Sequence, residues 1–326
     1  MALSLLIIAV ILLVIELIYF RIADHFNIID KPNLRSSHKH ITLRGGGIIF
    51  LAATWIYCLF FGLNYPWFMV GLTAICAVSF IDDIHSIPNR IRLLVHFAAM
   101  LLMFQQLGIL TTENWWQIIP ALILCTGIIN AYNFMDGING ITGAYSISIL
   151  VPLIIVNQQL NFIDNLFLWV ALIGVMIFCI FNFRKRARCF AGDVGSVGIA
   201  FILVFALGAL IISSGQLWYL IFLAVYGVDA ILTICHRLML HENIFEAHRK
   251  HVYQLMANEL KIPHTIVSTI YMMLQLAISA GAIWLPINKW IYFVVVIAVL
   301  SCVYILFKCK YYHLHEEYLK AKMQNE

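Results

Sequence analysis

The sequence predicts an all-α protein that crosses a membrane many times. Two observations carry that prediction. Apolar residues make up 63% of the 326 and charged residues 11%, less than half of the ~25% charge of an ordinary soluble domain. The apolar residues also fall into long runs, and about 20 in succession cross a bilayer as one helix.

Eleven such runs follow in order, and the connectors between them justify their ends. Residues 2–20 pass straight into polar sequence without a small-residue cleavage site, which predicts a retained helix and not a removed signal. Residues 45–63 and 66–81 are separated by "GLNYP", and the second of them is short. Residues 93–109 and 115–132 flank "GILTTEN", and 142–157 and 165–183 flank "NQQLNFIDN". Residues 196–213 and 217–236 flank "SSGQ", and 265–285 and 290–308 flank "PINK". Asn, Gly, Pro and Ser in these connectors are the residues that stop helices and turn chains.

Lys and Arg set the orientation, because cytoplasmic segments carry their excess. With the N-terminus outside, the inner segments hold 19 of the 20 basic residues and only Lys289 lies outside. That asymmetry predicts eleven spans with a cytoplasmic C-terminus. The net charge of +4 follows from this distribution and calls for no nucleic-acid partner. A basic inner face suits anionic headgroups and anionic substrates. The eight cysteines show no paired metal spacing, and most lie inside runs as small packing residues. No internal repeat or soluble segment appears, so residues 1–326 are expected to form one transmembrane catalytic domain ending in a cytoplasmic tail from 308.

The outer loops are short and bland, whereas five inner loops hold nearly every reactive side chain. Asp82 and Asp83 end a span in "DDIHSIPNRIR". The plain reading is a solvated pair, but two carboxylates at a helix C-terminus oppose its dipole, and a cation shared with a phosphate would relieve them. The segment "NAYNFMDGINGITG" places Asp136 among Asn130, Asn133 and Asn139, with Gly137, Gly140 and Gly143 allowing close backbone approach. Asn133 and Asp136 share a helix face at i, i+3. An amide beside a carboxylate can hold a base edge, a ribose or a hydrated cation, although a capped turn has the same composition. "FAGDVGS" puts Asp193 at a helix start whose free amides attract anions. Mg²⁺ uses one or two carboxylates together with substrate phosphates, so Asp193 suits it; an ordinary N-cap is the simpler alternative. The last inner loop supplies Glu246, His248, Arg249, Lys250, His251 and Tyr253, and the cationic groups among them suit phosphate oxygens. Together these are an acidic, Mg²⁺-type centre with basic clamps at the inner face, a composition that fits phosphoryl transfer between a nucleotide and a lipid.

In order and topology the stretches "RSSH…TLRGGG", "DDIHSIPNRIRL", "NAYNFMDGINGITG", "FAGDVGS" and "AHRKHVYQ" resemble the polyprenyl-phosphate N-acetylhexosamine-1-phosphate transferases, glycosyltransferase family 4. The match covers about residues 30–254, and the last stretch is similar to the branch that starts O-antigen or capsule chains, not the related phospho-MurNAc-pentapeptide translocases. The resemblance implies that sugar-1-phosphate passes from a UDP-N-acetylhexosamine to undecaprenyl phosphate at the cytoplasmic face of a bacterial inner membrane. UMP is released with Mg²⁺, or Mn²⁺ in its place, and a lipid-linked surface glycan is begun. It implies Asp82, Asp83 and His248 as catalytic residues and Asp193 as the metal ligand. Arg44, Asn133, Asp136, Asn139, Phe190, Arg249 and His251 would bind substrate, with Phe190 stacking on uracil and His248 or His251 serving as cations when protonated. A 6-deoxy donor sugar is an expectation of the same branch, and a homodimer is left open.

The chain departs from the family at Asn139, where Asp is usual, at Ile41 and Leu43, which replace prolines, and at His96, where Gln is frequent. Asp229, about 12 Å before Arg237 along a helix, resembles a family spacing and reads as a structural or lipid-site residue. The rival class is a transporter of lipid-linked or nucleotide sugars, which would place charge near the midplane and often show repeats. A CDP-alcohol phosphatidyltransferase would need an acidic array that "MDGINGITGAYS" lacks. A single in-line displacement and a covalent aspartyl intermediate both remain open at the level of sequence.

Overall fold

A computed structural model gives the structure of the protein over residues 2–31, 40–111, 115–243 and 248–323, with side chains described through residue 317. Twelve helical labels run in chain order: α1 Ala2–His25, α2 Ile48–Phe61, α3 Pro66–Ile84, α4 Asn89–Gln106, α5 Trp115–Met135, α6 Ile141–Leu160, α7 Asn165–Asn182, α8 Gly192–Ser214, α9 Ala224–Met239, the single turn α10 Val252–Gln254, α11 His264–Trp284 and α12 Lys289–Met323. A 3₁₀ segment, Leu217–Leu223, leads into α9, and a π turn, Leu255–Glu259, follows α10.

Each of the eleven predicted runs coincides with a helix. Among the described residues, nine helical segments are long and apolar enough to cross a membrane, so the chain is an all-α polytopic membrane protein. Two of the runs fall short of that standard. Helix α2 has 14 residues, or about 21 Å of rise against a hydrocarbon core of about 30 Å. Helix α4 carries Arg90, Arg92 and His96 in its first half.

The packing is layered. Helices α6, α7 and α8 form the centre and are buried along most of their length, whereas α1, α5 and α12 are largely exposed. The exposed residues of these outer helices are themselves apolar, among them Leu6, Val10, Ile123, Ile291, Val294 and Leu306. Lipid takes the place of water around such a surface, and hydrocarbon-exposed Leu, Ile and Val carry no penalty there. Phe68 on α3 and Phe205 on α8 stack with ring centroids 4.1 Å apart, and Phe167 on α7 meets Phe68 edge-on at 5.6 Å.

One small sheet interrupts the helices. Ile29–Asp30 pairs antiparallel with Thr42–Leu43, and Leu43 bridges to Cys189 in the loop before α8. Gly46 and Gly47 donate to Phe190 O and Ala191 O, which seats the loop before α2 on the loop before α8. The approach is closer than any side chain allows: a Cβ on Gly47 would collide with the Gly195 Cα. This backbone contact sets Arg44 beside Asp193.

Candidate active site

The C-terminal ends of α3 and α5 and the N-terminal ends of α4 and α8 meet at a cluster of carboxylates and guanidiniums. Asp83 ends α3 with its side chain wholly buried, and Arg44 Nε lies 2.7 Å from its Oδ1. The same carboxylate accepts the Asp193 and Val194 backbone amides at 2.9 and 3.0 Å. Those amides are unsatisfied donors of the first turn of α8, so Asp83 caps α8 from another helix. An anion there interacts favourably with the dipole, by up to about 2 kcal/mol in partly buried geometry. This resolves the unfavourable position of Asp83 at the end of its own helix. Gly192 lies at φ +70°, and a Cβ there would press on the Asp83 carboxylate.

Asp82 is held separately. Arg92 Nη1 donates to its Oδ2 at 2.6 Å, and the Ile87 amide donates to Oδ1 at 2.8 Å. Asp193 lies between the two guanidiniums, 3.6 Å from Arg44 Nη2 and 3.5 Å from Arg92 Nη1. Ser196, one turn into α8, donates to the Asn133 side-chain oxygen at 3.2 Å. Arg44, Asp82, Asp83, Asn133 and Asp193 are therefore brought together, with Arg92 as a member that sequence reasoning passed over. Its signal was its place ten residues after Asp82, just beyond a Pro-Asn helix start.

The glycine-bearing segment after α5 divides into two roles. Thr142 donates to Asp136 Oδ1 at 2.6 Å. Burial pushes the Asp136 carboxyl up to about 7; Thr142 and Arg44 oppose that rise, and Asp193 and Asp83 add to it. Asn139 faces the other way. Its amide nitrogen donates to Arg184 O and Lys185 O at 2.9 and 3.3 Å, its backbone oxygen accepts from Ser268, and it is 5% exposed. In the structure Asn139 ties loops together, and an amide donor is what two carbonyl acceptors require. Phe190 is half-buried beside the cluster, its backbone bonded to Leu43 and Gly46.

The histidine-bearing loop is described from His248 onward; Glu246 lies outside the described residues. Tyr253 Oη donates to Phe134 O at 2.8 Å, which seats this loop on the end of α5. The His248 ring lies 6.1 Å from Phe134 and 4.9 Å from His251. Burial, reinforced by His251, Arg237, Lys250 and Lys308, pushes the His248 imidazole down to about 3. That shift favours the neutral ring. His251 is buried and paired with Asp229. Arg237 pairs with Glu242 at 3.2 Å and with Asn243 O, so the Asp229–Arg237 spacing does not describe an ion pair.

Among the described residues no group of three or more His, Cys, Asp or Glu side chains could by itself hold a metal ion. The donor set at the cluster is nevertheless carboxylate oxygen throughout, and the Asp193 side chain keeps 20% of its surface open. Such a set fits a hard cation that arrives with phosphate ligands of its own, as Mg²⁺ does.

Residues 65–214 match the model of glycosyl transferase family 4, a span that holds Asp82, Asp83, Asn133, Asp136 and Asp193. Over that span the chain is similar to glycosyl transferase family 4. It is 24% identical over 311 residues to a Bacillus subtilis (strain 168) protein named as a probable undecaprenyl-phosphate N-acetylglucosaminyl 1-phosphate transferase, covering 87% of this chain and 86% of that one. It is 24% identical to the undecaprenyl-phosphate alpha-N-acetylglucosaminyl 1-phosphate transferase of Thermotoga maritima, over 86% of this chain and 88% of the other. Its similarity to the phospho-N-acetylmuramoyl-pentapeptide-transferase of Thermotoga neapolitana is 28% over 52% of this chain, and spans 61% of that relative.

Proposed function

We propose that this protein transfers N-acetylhexosamine-1-phosphate from a UDP-sugar to undecaprenyl phosphate at the cytoplasmic face of a bacterial inner membrane, releasing UMP and starting a lipid-linked glycan. The observation that carries the reading is the cluster of Asp82, Asp83 and Asp193 interleaved with Arg44 and Arg92 at the rim of the helix bundle. Paired acids and guanidiniums at a membrane surface suit a reaction between a soluble diphosphate and a lipid phosphate. The names of the full-length relatives support the same lipid and sugar classes.

In this reading an oxygen of the lipid phosphate attacks the sugar-bearing phosphorus of the donor, and the bond from that phosphorus to the UMP oxygen breaks. A phosphate monoester has a second pKa near 6, so the attacking oxygen already carries charge at pH 7. Catalysis then rests on positioning and electrostatics. Arg44 and Arg92 bind phosphate oxygens, and Asp193 holds Mg²⁺, which neutralises diphosphate charge when bound. Asp83 is fully buried and already accepts two amides and a guanidinium, which favours an orienting role over a nucleophilic one. Asp82, on Arg92, aims that guanidinium. Asn133 and Asp136 flank the nucleotide, and Phe190 offers a ring to the base.

Purified protein supplied with Mg²⁺, undecaprenyl phosphate and a panel of UDP-N-acetylhexosamines is expected to release UMP only when all three are present. Release of UDP would mean transfer of the sugar alone and would overturn the reading.

A further inference from the structure

Asp229 lies on α9, inside the apolar bundle, and is 3% exposed. Three groups donate to its carboxylate, and a ring nitrogen of His251 lies within hydrogen-bond distance. His251 Nδ1, the Val252 amide and Thr233 Oγ1 lie 3.2, 3.1 and 3.2 Å from Oδ1, and Tyr271 Oη lies 2.7 Å from Oδ2. A buried carboxylate surrounded by donors from three directions acts only as an acceptor. The hydrogen between it and His251 therefore sits on Nδ1, because whichever ring nitrogen meets a carboxylate is the one that carries the proton.

The other nitrogen is left over. His251 Nε2 is buried and has no hydrogen-bond partner among the described residues, on a side chain 2% exposed. The ring lies alongside Tyr253, with centroids 5.7 Å and planes 25° apart, and Tyr253 donates to Phe134 O. A buried polar atom without a partner costs free energy, which is a reason to look for a ligand. The loop it belongs to rests on the segment that carries Asn133 and Asp136.

We propose that Asp229 is a positioning residue: it fixes His251 as the Nδ1–H form and leaves Nε2 as the atom offered to the phosphate-bearing substrates. This rests on the transferase reading for the identity of the substrates, but not for the tautomer. Asp229 itself touches no substrate and acts through the ring it holds. The Asp–His arrangement parallels the general case in which the bond at one ring nitrogen sets the role of the other.

The test uses full-length protein in detergent, labelled with ¹⁵N-histidine, with the His251→Gln variant assigning the ring signals. In wild type the His251 Nδ1 signal is expected to be of the protonated type, and the Nε2 signal should move on adding UDP-N-acetylglucosamine with Mg²⁺ or undecaprenyl phosphate, each added alone to tell which phosphate it meets. Asp229→Asn should redistribute the tautomers and lower kcat by roughly tenfold or more, with KM for the UDP-sugar changing little. A proton on Nε2 in wild type, or an Nε2 signal indifferent to both substrates, overturns the proposal. If Asp229→Asn fails to fold, the wild-type spectra alone decide. Absence of UMP release from wild type would instead sink the transferase reading and leave the tautomer result standing.

Discussion

Two aspartates of one cluster do different work, and the difference is measurable. Asp83 caps α8 and pairs with Arg44, whereas Asp193 faces two guanidiniums at the longer separations of 3.5 and 3.6 Å. Asp83→Asn is therefore expected to lower both turnover and thermal stability, by about 1–2 kcal/mol for the weakened cap. Asp193→Asn should abolish most turnover, and raise the Mg²⁺ required, with little change in melting temperature. Equal melting losses in the two variants would remove the distinction. Two other groups titrate in opposite senses. The His248 imidazole falls from 6.5 to about 3 on folding, so the unfolded chain takes up its proton first and stability is lost as pH drops from 6.5 toward 3. The Asp136 carboxyl rises from 3.8 to about 7, so its contribution is present in acid and lost as pH rises through that window. In denaturation curves across pH 4–7, within the window these two shifts bound, Asp136→Asn should gain stability over wild type as pH rises. His248→Gln should lose less than wild type as pH falls. Parallel curves for all three proteins would refute both assignments.

At the scale of elements, the site depends on a backbone contact that few residues permit. The start of α2 lies against the start of α8 at Gly47 and Gly195, and Gly46 and Gly47 bond to the loop carrying Phe190. Gly47→Ala should push the two helix starts apart, cost about 1–3 kcal/mol in overpacking, and reduce activity by separating Arg44 from Asp193. Gly127→Ala in α5 is the matched control. Nothing lies within 4 Å of its added Cβ, so it should be neutral or stabilising by up to about 1 kcal/mol. If both variants melt and turn over alike, the glycine contact has no special role. Helix α4 joins this assembly through Arg92, which accounts for charge at the start of an otherwise apolar helix.

For the whole molecule, the five polar loops meet at one end of the bundle, while Trp67, Trp115, Trp116, Trp218, Trp284 and Trp290 lie at helix ends on the opposite side. Tryptophan prefers the membrane–water interface, and the excess of basic residues at the site end predicts that end to be the cytoplasmic one. In a background without the exposed Cys235, Cys302 and Cys309, Asn161→Cys should react with an impermeant maleimide on intact cells. Ala187→Cys should react only after permeabilisation. Strong labelling at 187 from outside would invert the topology and place the site away from the soluble donor.

The sequence by itself determined the class of protein, the order of the helices, and which loops hold the polar side chains. Those features are local: a helix that crosses lipid must satisfy its backbone within a single run, and charge asymmetry is read loop by loop. The side-chain roles were settled only by tertiary contacts between residues far apart in the chain. Asp83 caps a helix 110 residues away, Asn139 holds carbonyls 45 and 46 residues on, and Asp229 meets His251 across 22. Which oxygen faces an amide, a guanidinium or open space depends on how helices pack against one another. Sequence spacing carries no record of that, because a carboxylate looks the same whether it caps, pairs or waits for a cation.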